Sequence, residues 1–364
     1  MKKERRIVVD ARMINMSGIG TYIKNNIKED LYTDALGKAS EIQEVSPNIN
    51  IIEYDSKIYG IKEQLNFPYK SLQKIKTDIL HVPHYNVPIF YRGTMIVTIH
   101  DLIHLIYPEF LPNKLAYIYA RVMIGIAIRK SKMIITVSES TKRDILKYYK
   151  NVNPDKIIVF YERISPRFEK KDSKTIEYLY KKYGIPKDKK IIMYVGNLKP
   201  HKNLKRLIEA YSKIDGLNDT RLLLVGKAFK NYNLDELEKK LNLKDNIIHT
   251  GAVTDDELID FYNLSDLFVF PSLYEGYGLP PLEAMACGTP VIASNTSSMP
   301  EVLGDAAHFF NPLSVEEITD AINKELLVSK ANNQLVNKGY NQVKKNNDMF
   351  DSEMMRKVLY DLVK

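Results

Sequence analysis

Glu275-Gly276-Tyr277-Gly278-Leu279-Pro280-Pro281-Leu282-Glu283 places two carboxylates eight residues apart across a glycine-loosened loop that turns into a helix. Before it, residues 266–272 form a short apolar run of the buried-strand type, and Pro280 or Pro281 suits the first helical position. The helix is expected to run to about Cys287, Gly288 to stop it, and residues 290–294 to resume as a strand. In such a unit the loop opens at the carboxyl edge of a parallel sheet, where open α/β folds bind ligands. A helix start attracts anions, and carboxylates beside it accept hydrogen bonds from sugar hydroxyls. Glu283, near the start of the helix, is also favoured by the macrodipole alone. Glu275, in a glycine loop, has no such local reason.

Three further constellations carry chemistry. Residues 191–204 read as a strand, a glycine turn and a helix start, with Lys199, His201 and Lys202 in the turn. Positive groups there suit a departing diphosphate, and solvated loop side chains are the plain alternative. After the first strand, Gly18 and Gly20 lie in a turn before a helix expected to begin near Thr21. They would let backbone approach a ligand or simply make a tight turn, and the missing third glycine of a dinucleotide fingerprint argues against a nicotinamide enzyme. His81, His84, His100 and His104 crowd into residues 81–104 beside Asp101. His81 and His84 straddle Pro83 and cannot share a helix face, so the helical zinc pair does not apply. His100 ends the expected strand 95–100 and reads as a hydrogen-bonding or proton-handling group facing a cleft, with a capping role as the alternative.

A chain of 364 residues exceeds one ordinary core, so two domains are expected. The 45% hydrophobic content excludes a disordered protein. One cysteine, Cys287, excludes an internal disulfide framework and suits a reducing compartment. The net charge of +8 comes without a dense basic run or a nucleic-acid motif, so no nucleic-acid partner is expected. The first residues lack an apolar core of signal-peptide length, which points to a cytoplasmic protein. No stretch reaches the roughly twenty apolar residues of a membrane span. The nearest, residues 115–128, is broken by Arg121 and bracketed by Lys114, Arg129 and Lys130. It reads as a core helix or as a peripheral contact with the inner face of a membrane or with a lipid substrate.

Short β-branched runs alternate with amphipathic stretches, which predicts α/β architecture with parallel sheets. Strands are expected near 7–11, 51–54, 79–82, 95–100, 133–137 and 156–160, then 190–195, 221–225, 246–250, 267–271, 290–293 and 308–310. Residues 161–173 lack periodicity and read as the interdomain connection. The expected domains are 1–165, joined by a C-terminal helix of about 348–364 that crosses back, and 174–347. A polar break is expected at 344–348.

On residues 17–20, 97–102, 195–202 and above all 271–290, the chain resembles GT-B fold glycosyltransferases of family four, also called group one. Asp10-Ala11-Arg12-Met13, followed by Gly18-Ile19-Gly20 and Thr21-Tyr22, is most similar to members using GDP-mannose. The resemblance implies two Rossmann-like domains facing a central cleft, the first for the acceptor and the second for a nucleotide-diphosphate sugar. It implies a retaining, metal-independent hexosyltransferase with no cofactor, acting on a glycan or lipid-linked acceptor in surface polysaccharide synthesis. Glu275 would hold the donor sugar, with backbone around Gly276, Tyr277, Gly278 and Leu279 meeting sugar and phosphates. Glu283 would bind the ribose, Lys202 the diphosphate, and Val253 would frame the base. His100 would lie near the reacting sugar, and Gly18 and Gly20 would close over the donor. Asn197 stands where many members carry an arginine, His201 at a position often basic, and residues 161–164 depart from the usual pattern. A nucleotide-sugar epimerase, or a non-catalytic sugar-nucleotide-binding partner, would use the same fold.

Overall fold

The computed structural model describes residues 5–27, 31–56, 58–226, 234–330, 334–349 and 352–361. The chain divides into two units, Met1–Arg163 with Phe350–Lys364, and Ile164–Met349. In the first unit the strands are β1 (Ile7–Asp10), β2 (Asp34–Gly37), β3 (Asn50–Glu53), β4 (Ile79–Val82), β5 (Met95–Ile99), β6 (Met133–Thr136) and β7 (Ile157–Val159). They form one sheet in the order β3-β2-β1-β4-β5-β6-β7. The second unit contains β8 (Lys190–Val195), β9 (Thr220–Val225), β10 (Ile247–Gly251), β11 (Leu267–Phe270), β12 (Val291–Ser294) and β13 (Ala307–Phe310). Their order is β10-β9-β8-β11-β12-β13, and every pairing in both sheets is parallel.

Crossover connections put helices on both faces of such sheets, so the inner strands read as unbroken apolar runs. β5 and β11 are buried along their whole length for this reason. Chain direction reverses across the sheet between β1 and β4 and again between β8 and β11, and crevices open at such switch points. Candidate site residues lie on loops at these two places.

Four local expectations are corrected. β2 was not anticipated, because Asp-Ala-Leu-Gly offers no β-branched residue; pairing with both β1 and β3 makes it a strand. The helix near Thr21 begins earlier, spanning Ser17–Asn26, so Gly18 and Gly20 belong to the helix itself and form no turn before it. A Cβ on Gly20 would stand 2.5 Å from the Ile14 carbonyl oxygen, so close packing requires that glycine, whereas Gly18 has nothing within 4 Å. The helix Gln334–Met349 runs straight through the stretch expected to break it. There the amides of Gln342 and Asn346 turn inward and donate to the Val302 carbonyl at 2.7 and 3.0 Å, so polar composition marks a buried contact. Finally, Glu283 lies in the second turn of the helix Leu279–Ala286, beyond the reach of the first-turn dipole argument.

The apolar segment 115–128 lies on the helix Lys114–Lys130, which buries Ala120, Met123, Ile124, Ala127 and Ile128 against the first sheet's core. Its other side leaves Leu115, Ile118 and Val122 exposed. Among the described residues no helix is long and apolar enough to cross a membrane. The tail helix Ser352–Asp361 belongs to the first unit and buries Met355 and Leu359.

His81 on β4 is fully buried, with Nδ1 2.6 Å from the Tyr32 hydroxyl and Nε2 2.8 Å from Thr98 Oγ1. Burial, reinforced by His100 and His84, pushes its pKa down to about 3. The native imidazole therefore stays neutral while the unfolded one, with its ordinary pKa near 6.5, takes up a proton as pH falls. Stability of the first unit is complete above about pH 6.5 and declines by roughly 1.4 kcal/mol per unit below it, about 2 kcal/mol by pH 5. Urea unfolding at pH 7.5 and 5.0 should show that loss, and His81→Gln should reduce it; equal slopes in both proteins would refute the assignment.

Candidate active site

In the second unit, the site is assembled by loops leaving the carboxyl ends of the adjacent strands β8 and β11. Lys202 ends a short helical turn, Pro200–Lys202, after β8. Glu275 lies in the loop after β11, and the Lys202 ammonium donates to its Oε1 at 2.6 Å. Both side chains keep a minor exposed fraction, 16% and 14%, so the pair sits at a mouth and is reachable by a ligand. The ammonium also stands 5.6 Å from the Phe270 ring centroid, which fixes its direction.

The surrounding backbone is braced at several points. Asn203 adopts left-handed backbone with φ 59°, and its side-chain amide donates to the Pro271 and Pro312 carbonyls at 3.0 and 2.6 Å. This ties the Lys202 turn to the exit of β11. Leu273 N–H donates to the His201 carbonyl at 2.7 Å, a second tie between the same two loops. From the loop after β12, Ser297 Oγ accepts from Glu275 N–H at 3.0 Å, while Ser298 Oγ donates to the carbonyls of Glu275 and Tyr277 at 3.1 and 2.9 Å. Gly278 has φ +95°, so the backbone conformation favours glycine at the helix entry, where a Cβ would also have to displace the Met299 methyl, 2.2 Å away.

Glu283 accepts from the Tyr262 hydroxyl at 2.9 Å. That phenol is held well above its usual pKa, first by burial and then by the Glu283 charge, so it remains a donor. Two buried polar atoms at the same strand ends, Asn197 Oδ1 and Ser272 Oγ, have no hydrogen-bond partner. Such orphans cost on the order of 1–3 kcal/mol each, and they cluster where ligands are met.

The structure thus joins Lys202 to Glu275 and places Asn197, Gly276, Gly278 and Leu279 on the same strand ends or the helix entry beside them. Val253 is half-buried in the loop after β10, and residues 227–233, on the neighbouring β9 loop, lie outside the described residues. The other expected site residues are placed as follows. The Tyr277 side chain is buried, with its hydroxyl 3.5 Å from Asn346 Oδ1, leaving only backbone for a ligand. His201 is buried and Lys199 exposed, so Lys202 is the member of that basic trio paired with the Glu275 loop. Gly18, Gly20 and His100 belong to the first unit. His100 Nε2 is 3.1 Å from the Pro83 carbonyl, Nδ1 is 3.7 Å from Glu162 Oε1, and its ring meets Tyr22 edge-on. Among the described residues no cluster of side chains that could hold a metal occurs, and His81 is engaged by Tyr32 and Thr98.

Asn203, Ser297 and Ser298 were not singled out by sequence reasoning. The run of small polar residues at 294–298 directly after a buried strand was the available signal, since hydroxyls at a strand's carboxyl end are placed to hold a neighbouring loop.

Two family models match this chain: one described as glycosyl transferases group 1 over residues 176–342, and one as Glycosyltransferase Family 4 over residues 35–166. The chain belongs to this family of glycosyltransferases, and its two parallel-sheet units have the GT-B fold. A serotype-specific mannosyltransferase of Escherichia coli, WbdA, is 33% identical over 264 residues, which is 67% of this chain and 30% of that larger protein. The chain therefore spans under a third of that relative. The O-antigen chain mannosyltransferase B of the same species is 29% identical over 259 residues, 70% of this chain and 67% of its own length. Among solved structures, HepE of Anabaena bound to UDP-glucose superposes with TM-score 0.79 at 15% identity, covering 99% of both chains. Sucrose-phosphate synthase of Thermosynechococcus elongatus gives 0.78 at 18%, covering 99% of this chain and 98% of that one.

Proposed function

We propose that this chain is a retaining, metal-independent glycosyltransferase that moves mannose from GDP-mannose onto a glycan or lipid-linked acceptor in surface polysaccharide synthesis. The observation that carries the reading is the Lys202–Glu275 pair at the mouth between β8 and β11, beside the start of the helix Leu279–Ala286. An ammonium and a helix N-terminus together supply positive potential for a diphosphate leaving group. A carboxylate beside them accepts from sugar hydroxyls, while Glu283 serves the ribose. The leaving phosphate, held by Lys202, takes the acceptor's proton as attack proceeds on the same face of the sugar. The names of the mannosyltransferase relatives support mannose, and the UDP-glucose complex of HepE supports a nucleotide-sugar donor of some kind.

The test is a nucleotide-sugar panel read by thermal shift and then by transfer in the presence of EDTA. GDP-mannose at a hundred times its Kd should add about 2.7 kcal/mol of stability. Glu283→Ala should weaken free nucleotide by roughly tenfold or more, the value of a hydrogen bond to a charged group; unchanged nucleotide affinity rejects the ribose role. A changed sugar recovered without acceptor would identify an epimerase, and binding without turnover a non-catalytic partner. Presenting acceptor on anionic vesicles in the same assay checks whether the exposed apolar side of Lys114–Lys130, with Arg121 and Arg129, meets a membrane.

A further inference from the structure

The first unit has its own switch point, between β1 and β4, and loops from β1, β3, β4 and β5 converge at the carboxyl ends there. Arg12, just past β1, has a side chain only 3% exposed. It donates through Nε and Nη2 to the two oxygens of Asp10 at 2.8 and 2.6 Å, and through Nη1 to Glu63 Oε1 at 2.9 Å. Glu63, 1% exposed, uses its other oxygen to accept Tyr59 N–H at 3.0 Å and the Asn86 amide at 2.5 Å. Asn86 Oδ1 in turn accepts from the Tyr119 hydroxyl. One guanidinium thus sets, through Glu63 and Asn86, the positions of two tyrosines.

Those tyrosines are not core. Tyr59 is 49% exposed although its backbone holds φ +72°, a left-handed conformation that costs a bulky residue on the order of 1–2 kcal/mol. Its ring centroid lies 6.1 Å from Tyr85 and 6.3 Å from the exposed Tyr119, and Tyr85 lies 6.2 Å from His104. Asp101, after β5 and three residues before His104, accepts from Ile103 N–H at 3.0 Å; burial first, and then the Asp101 charge among smaller causes, raises the pKa of Tyr59 and Tyr85. Buried ions and a strained tyrosine both oppose folding, and the fold retains them around exposed rings.

We propose that Tyr59, Tyr85, Tyr119 and His104, with Asp101, form a binding platform for an uncharged pyranose carried on an apolar aglycone. As the acceptor side of the transfer proposed above, it rests on that reading. Aromatic faces are apolar and pack against the C–H face of a sugar ring, while tyrosine hydroxyls and a carboxylate serve its hydroxyls. Charge argues against a nucleotide or other polyanion inside this network: the Arg12 guanidinium is already engaged by Asp10 and Glu63 and is buried with them. The aglycone class follows from the helix Lys114–Lys130, where exposed Leu115 and Val122 stand at i−4 and i+3 of Tyr119 on the same face.

The probes are methyl and octyl α-D-mannopyranoside, the latter below its micelle concentration, titrated against the full chain by saturation-transfer NMR and calorimetry. Octyl mannoside should bind at least tenfold more tightly than methyl mannoside. Tyr59→Asn removes the ring while Asn tolerates left-handed backbone, and it should weaken both glycosides at least tenfold with nucleotide binding unchanged. Tyr119→Phe, which keeps the ring and frees it from Asn86, should weaken them less. Wild-type-like glycoside binding by Tyr59→Asn, or no binding to the wild type, overturns the platform. Glycoside binding with no response to any nucleotide sugar would instead leave the platform standing and remove the donor reading.

Discussion

Lys202→Ala is expected to lower turnover at saturating donor by on the order of a hundredfold or more, the usual consequence of removing one preorganised donor from a developing anion. The ammonium is held 2.6 Å from Glu275 Oε1 and over Phe270, so its position is set before any ligand arrives. In the function proposed above, donor binding would exchange the Lys202–Glu275 contact for one from the ammonium to the diphosphate and one from the carboxylate to the sugar. Glu275→Gln should also reduce turnover severely, yet leave nucleotide affinity largely intact, because sugar contacts act at the transition state. Since the two groups share one interaction, the double variant should lose less than the product of the single losses. Steady-state turnover with saturating donor decides: a Lys202→Ala rate close to wild type would end the leaving-group role.

Arg12→Leu should cost the first unit about 3–5 kcal/mol, the penalty for leaving buried carboxylates without their partner. Asp10, fully buried, is held far below the usual carboxylate range: burial would raise its pKa, and Arg12, followed by His84, overrides it. Removing the guanidinium leaves Asp10 and Glu63 charged and facing apolar surroundings that include the rings of Tyr54 and Phe67. Arg12→Leu combined with Asp10→Asn and Glu63→Gln should recover most of that loss, since the charges go together. Urea unfolding of the single and triple variants provides the comparison; equal stability of Arg12→Leu and wild type would show that the network is not what secures these loops.

The legibility of the chain followed the range of the forces involved. All six strands of the second unit were readable, because β8, β9, β11 and β12 are apolar runs bounded by glycine or proline and sheathed on both faces. β2 escaped notice because its four residues have little intrinsic strand preference and become a strand only by pairing on both sides. The break expected at 344–348 failed for a related reason. Asn346 looks like a loop residue in one dimension, and the Val302 carbonyl that satisfies it is supplied by a distant segment.

Within the sites, glycine and charge were the legible features. Gly278 announces a backbone conformation that favours glycine, and Glu275 a carboxylate with no local structural reason in the sequence. The residues alone did not distinguish Lys199, His201 and Lys202, and the resemblance pointed to Lys202; that its ammonium would pair with Glu275 emerged only from the turn Pro200–Lys202 and the Asn203 anchor. In the first unit, Asp10 and Arg12 were visible as a pattern. Their link to Glu63, Asn86 and Tyr119 joins residues up to more than a hundred positions apart.

The amino-acid sequence by itself determined the parallel α/β architecture, the loop from Glu275 to Glu283 and the family, because periodicity, helix entry and glycine geometry are short-range properties. Only the tertiary structure decided which side chains pair, which polar groups are buried and where exposed rings collect. Those outcomes depend on contacts between segments brought together by sheet order, and a hydrogen bond's partner is chosen by distance in space.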